Sequence, residues 1–149
     1  MKHFKIGIIF VFFACNLCAQ NNYNTKNGVI ANGYDLVAYF SEQPTKGLDR
    51  LTFKYDGILF KFSTQENLML FKASPKKYLP QYGGWCAYAI GKTNEKVAIN
   101  PKTFSIKEGK LYLFYNAYFT NTFKLWKKEG PQKLIKQGDS NWQKLTLRN

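Results

Sequence analysis

Residues Leu51 to Phe62 leave the backbone few options. Leu51, Phe53 and Tyr55 alternate with Thr52 and Lys54, Asp56-Gly57 follows, and Ile58, Phe60 and Phe62 resume the alternation. Side chains on a strand alternate with period two, so a two-residue turn puts all six apolar residues on one face of a hairpin. The expected pairs are Tyr55 with Ile58, Phe53 with Phe60, and Leu51 with Phe62. Asp-Gly suits the turn because both central positions need positive φ. Thr103 to Leu113 repeats the logic about Glu108-Gly109, with Phe104, Ile106, Leu111 and Leu113 sharing a face.

Helical signals follow each hairpin. Ser63 with Glu66 reads as a capping box, opening a helix to about Lys72 with Leu68 and Phe71 facing inward. Ser74-Pro75 starts a second short helix that ends before Pro80. Tyr118, Phe119, Thr122, Phe123 and Trp126 recur at helical spacing and predict an amphipathic helix over Ala117 to Lys128. Gly130 stops it and Pro131 opens the next, with Leu134 and Ile135 inward. Gly138 reads as a stop there, and Ser140 as the cap of a last turn bearing Trp142 and Leu145. The expected class is α+β, a small antiparallel sheet of two hairpins with helices packed on one face.

The N-terminus reads as a targeting segment. Lys2 and Lys5 precede an apolar run from Ile6 to Cys15, and Ala19 suits a cleavage site. A run of about ten residues is half of what spans a bilayer. The expected product is periplasmic or secreted, with residues 1–20 as signal peptide, 21–27 as a flexible lead-in and 28–149 as one domain. Lipidation at Cys15 is a second variant, although Phe12 stands where such motifs carry Leu. Cleavage would remove His3, Cys15, Cys18 and two lysines. That leaves 20 basic residues against 9 acids, a charge of +11, with no His and only Cys86 as a thiol. Ser-His and Cys-His nucleophiles, a His-containing zinc cage and an internal disulfide are then all excluded.

The order Asn32-Gly33-Tyr34-Asp35-Leu36-Val37-Ala38-Tyr39-Phe40, then Tyr55-Asp56-Gly57, then Phe60-Lys61-Phe62-Ser63, then Pro75 to Tyr88 resembles the exported bacterial branch of the YHS domain family. Gly109 to Leu113, Trp126-Lys127-Lys128 and Asn141-Trp142 are similar to that branch too. The Pro80 to Tyr88 block is the most specific part. The wider family is similar to the TRASH metal-binding modules, and the resemblance implies handling of copper or another transition metal. Those relatives carry Cys at the place of Ala38 and further thiols around Ser63 and Asn67. This chain has none of them, and it lacks the His of the family name. Cys86 alone survives as a soft ligand, with Asp35 as the accompanying oxygen donor.

Cys86 is thus either a thiolate ligand or redox-active thiol, or a buried small hydrophobe. Asp35 is a ligand or a turn residue. Tyr34, Tyr39, Tyr82, Trp85 and Tyr88 either wall a pocket with these two or build core. The lysines are scattered, apart from Lys76-Lys77 and Lys124-Lys127-Lys128, and either meet an anionic envelope surface or form a solvated face. Export disfavours nucleic acid. The resulting expectation is a non-catalytic envelope binding domain for a metal ion or small ligand near Cys86. A Cys86-dependent redox enzyme and a basic protein held to anionic surfaces are the alternatives.

Overall fold

The computed structural model describes residues 22–147; the expected signal peptide lies outside them. The class is α+β. Among the described residues eight strands form three sheets: β1 (Thr25–Lys26), β2 (Val29–Ile30), β4 (Ile58–Phe62) and β3 (Leu48–Tyr55) in that order, β5 (Asn100–Lys107) with β6 (Lys110–Phe114), and β7 (Asn116–Ala117) with β8 (Thr120–Asn121). The two expected hairpins therefore lie in separate sheets, and β2 joins β4 in parallel. The same residues contain five α-helices: α1 (Gln65–Ala73), α2 (Pro75–Tyr78), α3 (Ala87–Thr93), α4 (Thr122–Glu129) and α5 (Pro131–Leu147).

The first hairpin pairs Tyr55 with Ile58 and Phe53 with Phe60, as the alternation predicts. Beyond Thr52, opposite Lys61, the register shifts and Phe62 faces Leu48 instead of Leu51. Extra residues on one strand of a pair add twist and bend it. Leu51 stays buried nonetheless. The second hairpin matches expectation, with Phe104 opposite Leu113 and Ile106 opposite Leu111. Leu111 and Leu113 join the larger core, together with Ile58, Phe60, Phe62, Leu68, Phe71 and Cys86, and Phe104 and Ile106 pack against it half-buried. A second core gathers Tyr82, Ile90, Tyr112, Phe114, Trp126 and Leu134 between β6 and the last three helices.

Four expectations are corrected. The described part of the expected lead-in, residues 22–27, is held in place: Thr25–Lys26 is a strand, and Asn24 bonds Gly83 and Gly84 through its backbone and side chain at 2.8 and 3.0 Å. The cap of α1 is Thr64, whose hydroxyl accepts from the Asn67 N–H at 3.0 Å, because Ser63 is engaged elsewhere. The helix expected from Ala117 begins only at Thr122, where Asn121 caps it by accepting from the Lys124 N–H at 3.1 Å. Residues 116–121 form a tight hairpin instead.

The fourth correction concerns Gly138, which does not stop α5; the helix runs through it to Leu147. A Cβ at that position would stand 2.7 Å from the Tyr82 hydroxyl oxygen, so glycine there is a close-approach residue. Helix propensity alone predicts that Gly138→Ala stabilises by about 1 kcal/mol. Contact with the buried Tyr82 ring reverses the sign, and a loss of about 1–3 kcal/mol is expected. Urea denaturation of both proteins checks this, and any gain in stability contradicts it.

Candidate functional site

Asp35 is fully buried, and its carboxylate meets five donors. Oδ1 accepts from the backbone N–H groups of Val37 at 2.9 Å and Ala38 at 3.4 Å. Oδ2 accepts from the Ser63 N–H at 2.8 Å, the Ser63 hydroxyl at 2.7 Å and the Asn67 amide at 2.7 Å. The contacts to Val37 and Ala38 close a local turn at the start of the 3-10 segment Ala38–Ser41. Those to Ser63 and Asn67 reach the end of β4 and the first turn of α1. Ala38, close to Asp35 in sequence, and Ser63 and Asn67, about thirty residues further on, thus converge on one carboxylate.

Cys86 sits in a different network. It is fully buried, its sulfur accepts from the Tyr115 N–H at 3.4 Å and lies 3.3 Å from the Thr122 hydroxyl oxygen. Thr122 in turn donates to the Tyr115 carbonyl at 2.8 Å. The sulfur therefore ties the end of β6 to the start of α4. A soft metal needs several unengaged donors of matching type, whereas the oxygens of Asp35 are already shared among five hydrogen bonds. Among the described residues no three His, Cys, Asp or Glu side chains gather where they could hold a metal ion. The donor set does not fit the copper site that the resemblance implies.

The five aromatic candidates do not share one pocket. Tyr39 is core: its ring packs edge-on against Phe104 at 5.0 Å, and its hydroxyl donates to the Pro101 carbonyl at 2.6 Å. Tyr34 lines a groove of about 550 Å³ with Pro101, Lys102, Tyr115 and Asn116. Tyr88 donates to Glu129 at 2.7 Å, and Lys92 pairs with the other oxygen of that carboxylate at 2.6 Å, which clamps α3 to α4. Trp85 packs against the second core and donates its indole N–H to the Asn22 carbonyl at 3.3 Å.

Tyr82 reaches a separate open cleft of about 670 Å³. It is lined by Pro80 to Gly83, Tyr23, Trp142 and the two acids Asp56 and Asp139. Gln81, Gln143 and Thr146 add polar groups. The Tyr82 ring lies 6.2 Å from that of Trp142, and its hydroxyl donates to Asp139 at 3.0 Å. Gly83 is required beneath this cleft, since it holds φ +59° and a Cβ would fall 1.9 Å from the Asn22 carbonyl oxygen. The sequence reading missed Tyr23, Asp56, Asp139 and Trp142 as site residues. Trp142 and Asp56 stand in two of the segments on which the expected resemblance rests. Tyr23 and Asp139 stand in none of them.

Burial holds the cleft hydroxyls protonated. Tyr23 is pushed up to about 12, chiefly by burial and then by the charge of Asp56. Tyr82 is raised further by burial and by Asp139, and Tyr112 behind it rises to about 12 mainly through burial. The cleft thus offers aromatic faces, neutral hydroxyls and two carboxylates. Comparison with protein-family models, curated proteins and solved structures finds no match to this chain.

Two outcomes follow from this geometry. Asp35→Ala strands five donors around a buried void, and each unsatisfied buried group costs about 1–3 kcal/mol. A loss of at least about 3 kcal/mol is expected in urea denaturation, and a loss below about 1 kcal/mol contradicts the role given to Asp35. The tyrosines set a pH dependence. Their folded pKa values lie above the unfolded value of about 10, so their stabilisation is complete below that pH and is lost as pH rises toward the folded values. Stability measured at a series of alkaline pH values should fall from about pH 10 to about pH 12. A level or rising profile across that window contradicts the shifts.

Proposed function

We propose that this chain is an exported, non-catalytic binding domain of the cell envelope, belonging to the exported branch of the YHS family, and that it takes a small ligand in the Tyr23–Tyr82–Trp142 cleft. The observation that carries the proposal is the cleft's composition. Three aromatic side chains and two carboxylates converge there on a chain whose overall charge is strongly positive. A pocket of this kind suits a molecule with an apolar face and outward hydroxyl or ammonium donors.

Two further points support the reading. The positions where the YHS relatives carry thiols, Ala38, Ser63 and Asn67, meet at Asp35 in space, as expected of a shared architecture whose metal cage has been replaced by hydrogen bonds. The redox alternative needs an accessible thiolate, and Cys86 is sealed between Tyr115 and Thr122. The domain therefore works without a thiol, and the ligand lies away from Cys86.

Ligand binding is read on the Trp142 indole N–H by heteronuclear NMR, using monosaccharides and primary amines as probes. At least one class should shift that resonance in a saturable way, and Trp142→Ala should weaken binding by tenfold or more. Probes that leave Trp142 unmoved while shifting Cys86 and its neighbours would return the site to the thiol.

A further inference from the structure

Four two-residue hairpin turns occur among the described residues. Three of them use glycine at the second position: Asn27-Gly28 with φ of 53° and 76°, Asp56-Gly57 with 50° and 76°, and Glu108-Gly109 with 51° and 71°. The fourth joins β7 to β8 through Tyr118-Phe119, at φ of 47° and 65°. Left-handed backbone is costly for bulky side chains, and this turn type prefers Asn-Gly. The same two residues are the most exposed large hydrophobics of the described chain, Tyr118 at 89% and Phe119 at 113%. Backbone strain and exposed aromatic surface therefore coincide at a site that a commoner turn sequence would relieve of both.

The surroundings are basic. Lys124 and Leu125 share a depression with Phe119 on one side of the hairpin. On the other side, Lys102 lines the groove that Ala117 and Asn116 border. From Lys110 to Lys128 the chain contains four lysines and no acid. Lys127 lies over the Phe123 ring at 4.5 Å, keeping its charge near the root of α4. Aromatic rings flanked by lysines match the boundary between acyl chains and anionic headgroups, where rings settle and basic side chains gain from the negative surface potential.

We propose that the β7–β8 hairpin is a membrane-surface wedge, with Tyr118 and Phe119 entering the headgroup layer of an anionic lipid surface and Lys102 and Lys124 meeting its phosphates. Charge complementarity selects lipid as the occupant. A second copy of this chain would bring like charge against like charge. The proposal is independent of the cleft, which is lined by none of these residues.

The test uses the full chain and its Tyr118→Asn/Phe119→Gly variant, so that any contribution of the N-terminal segment is common to both. Co-sedimentation is measured with phosphatidylcholine vesicles with and without phosphatidylglycerol. The wild type should bind the anionic vesicles, more weakly as salt rises. The variant should bind at least tenfold more weakly and melt at a higher temperature, because Asn-Gly relieves the turn. Lys102→Gln/Lys124→Gln should weaken binding and flatten the salt dependence. Equal binding by wild type and turn variant overturns the proposal, as does indifference to phosphatidylglycerol. Self-association that the turn variant abolishes, without vesicle binding, also overturns it by assigning the hairpin to a second copy.

Discussion

A single buried carboxylate organises the first half of this molecule. A charge removed from water is tolerable only when its oxygens are hydrogen-bonded, and Asp35 achieves this by drawing donors from its own turn, from the end of β4 and from α1. Its backbone is fixed as well, the N–H bonding the Thr45 carbonyl at 2.9 Å. The loop from Gly33 to Ser41 is thereby pinned to the hairpin that carries Phe60 and Phe62. The consequence is visible one residue further on, where Ser63 serves Asp35 and the capping of α1 passes to Thr64. The sulfur of Cys86 performs a similar, weaker service in the second half, joining β6 to α4.

Both long hairpins were legible in the sequence because two local signals agree there: period-two alternation and an Xaa-Gly pair at the turn. Pattern and structure part in three places. The register shift before Thr52 leaves no mark in the hydrophobic pattern, since Leu51 is buried in either register. Residues 117–126 have helical spacing, but their first half folds as a hairpin. Asn121 offers a cap in mid-pattern, and Thr122 bonds back to Tyr115, so helix begins at Thr122 and Tyr118 and Phe119 are left outside. Gly138 looks like a terminator by composition alone. Only its distance to Tyr82, set by how α5 lies against the 3-10 segment Gln81–Gly84, shows why glycine stands there.

The candidate site was less legible than the fold. Composition and resemblance directed attention to Cys86 and the Tyr82 to Tyr88 block, and of those residues only Tyr82 and Gly83 line the large cleft. Neighbouring residues of that block separate because Gly83-Gly84 and the start of α3 send successive side chains in different directions: Tyr82 to α5, Trp85 to the N-terminal strap, Cys86 to β6, and Tyr88 to Glu129. Tyr23, Asp56 and Asp139 come from three distant segments with no common motif. Their meeting is a product of tertiary structure alone, out of reach of periodicity or spacing.

The central claim is that a hydrogen-bonded carboxylate, and no metal ion, occupies the crossing point of the Gly33–Ser41 loop, β4 and α1. Hydrogen exchange at the Val37 and Ser63 amides, with and without equimolar Cu(I), tests it most directly. Both amides should be protected nearly as well as the slowest in the core, and copper should leave their rates unchanged. Rapid exchange without metal, or protection that appears only when Cu(I) is added, would contradict the account.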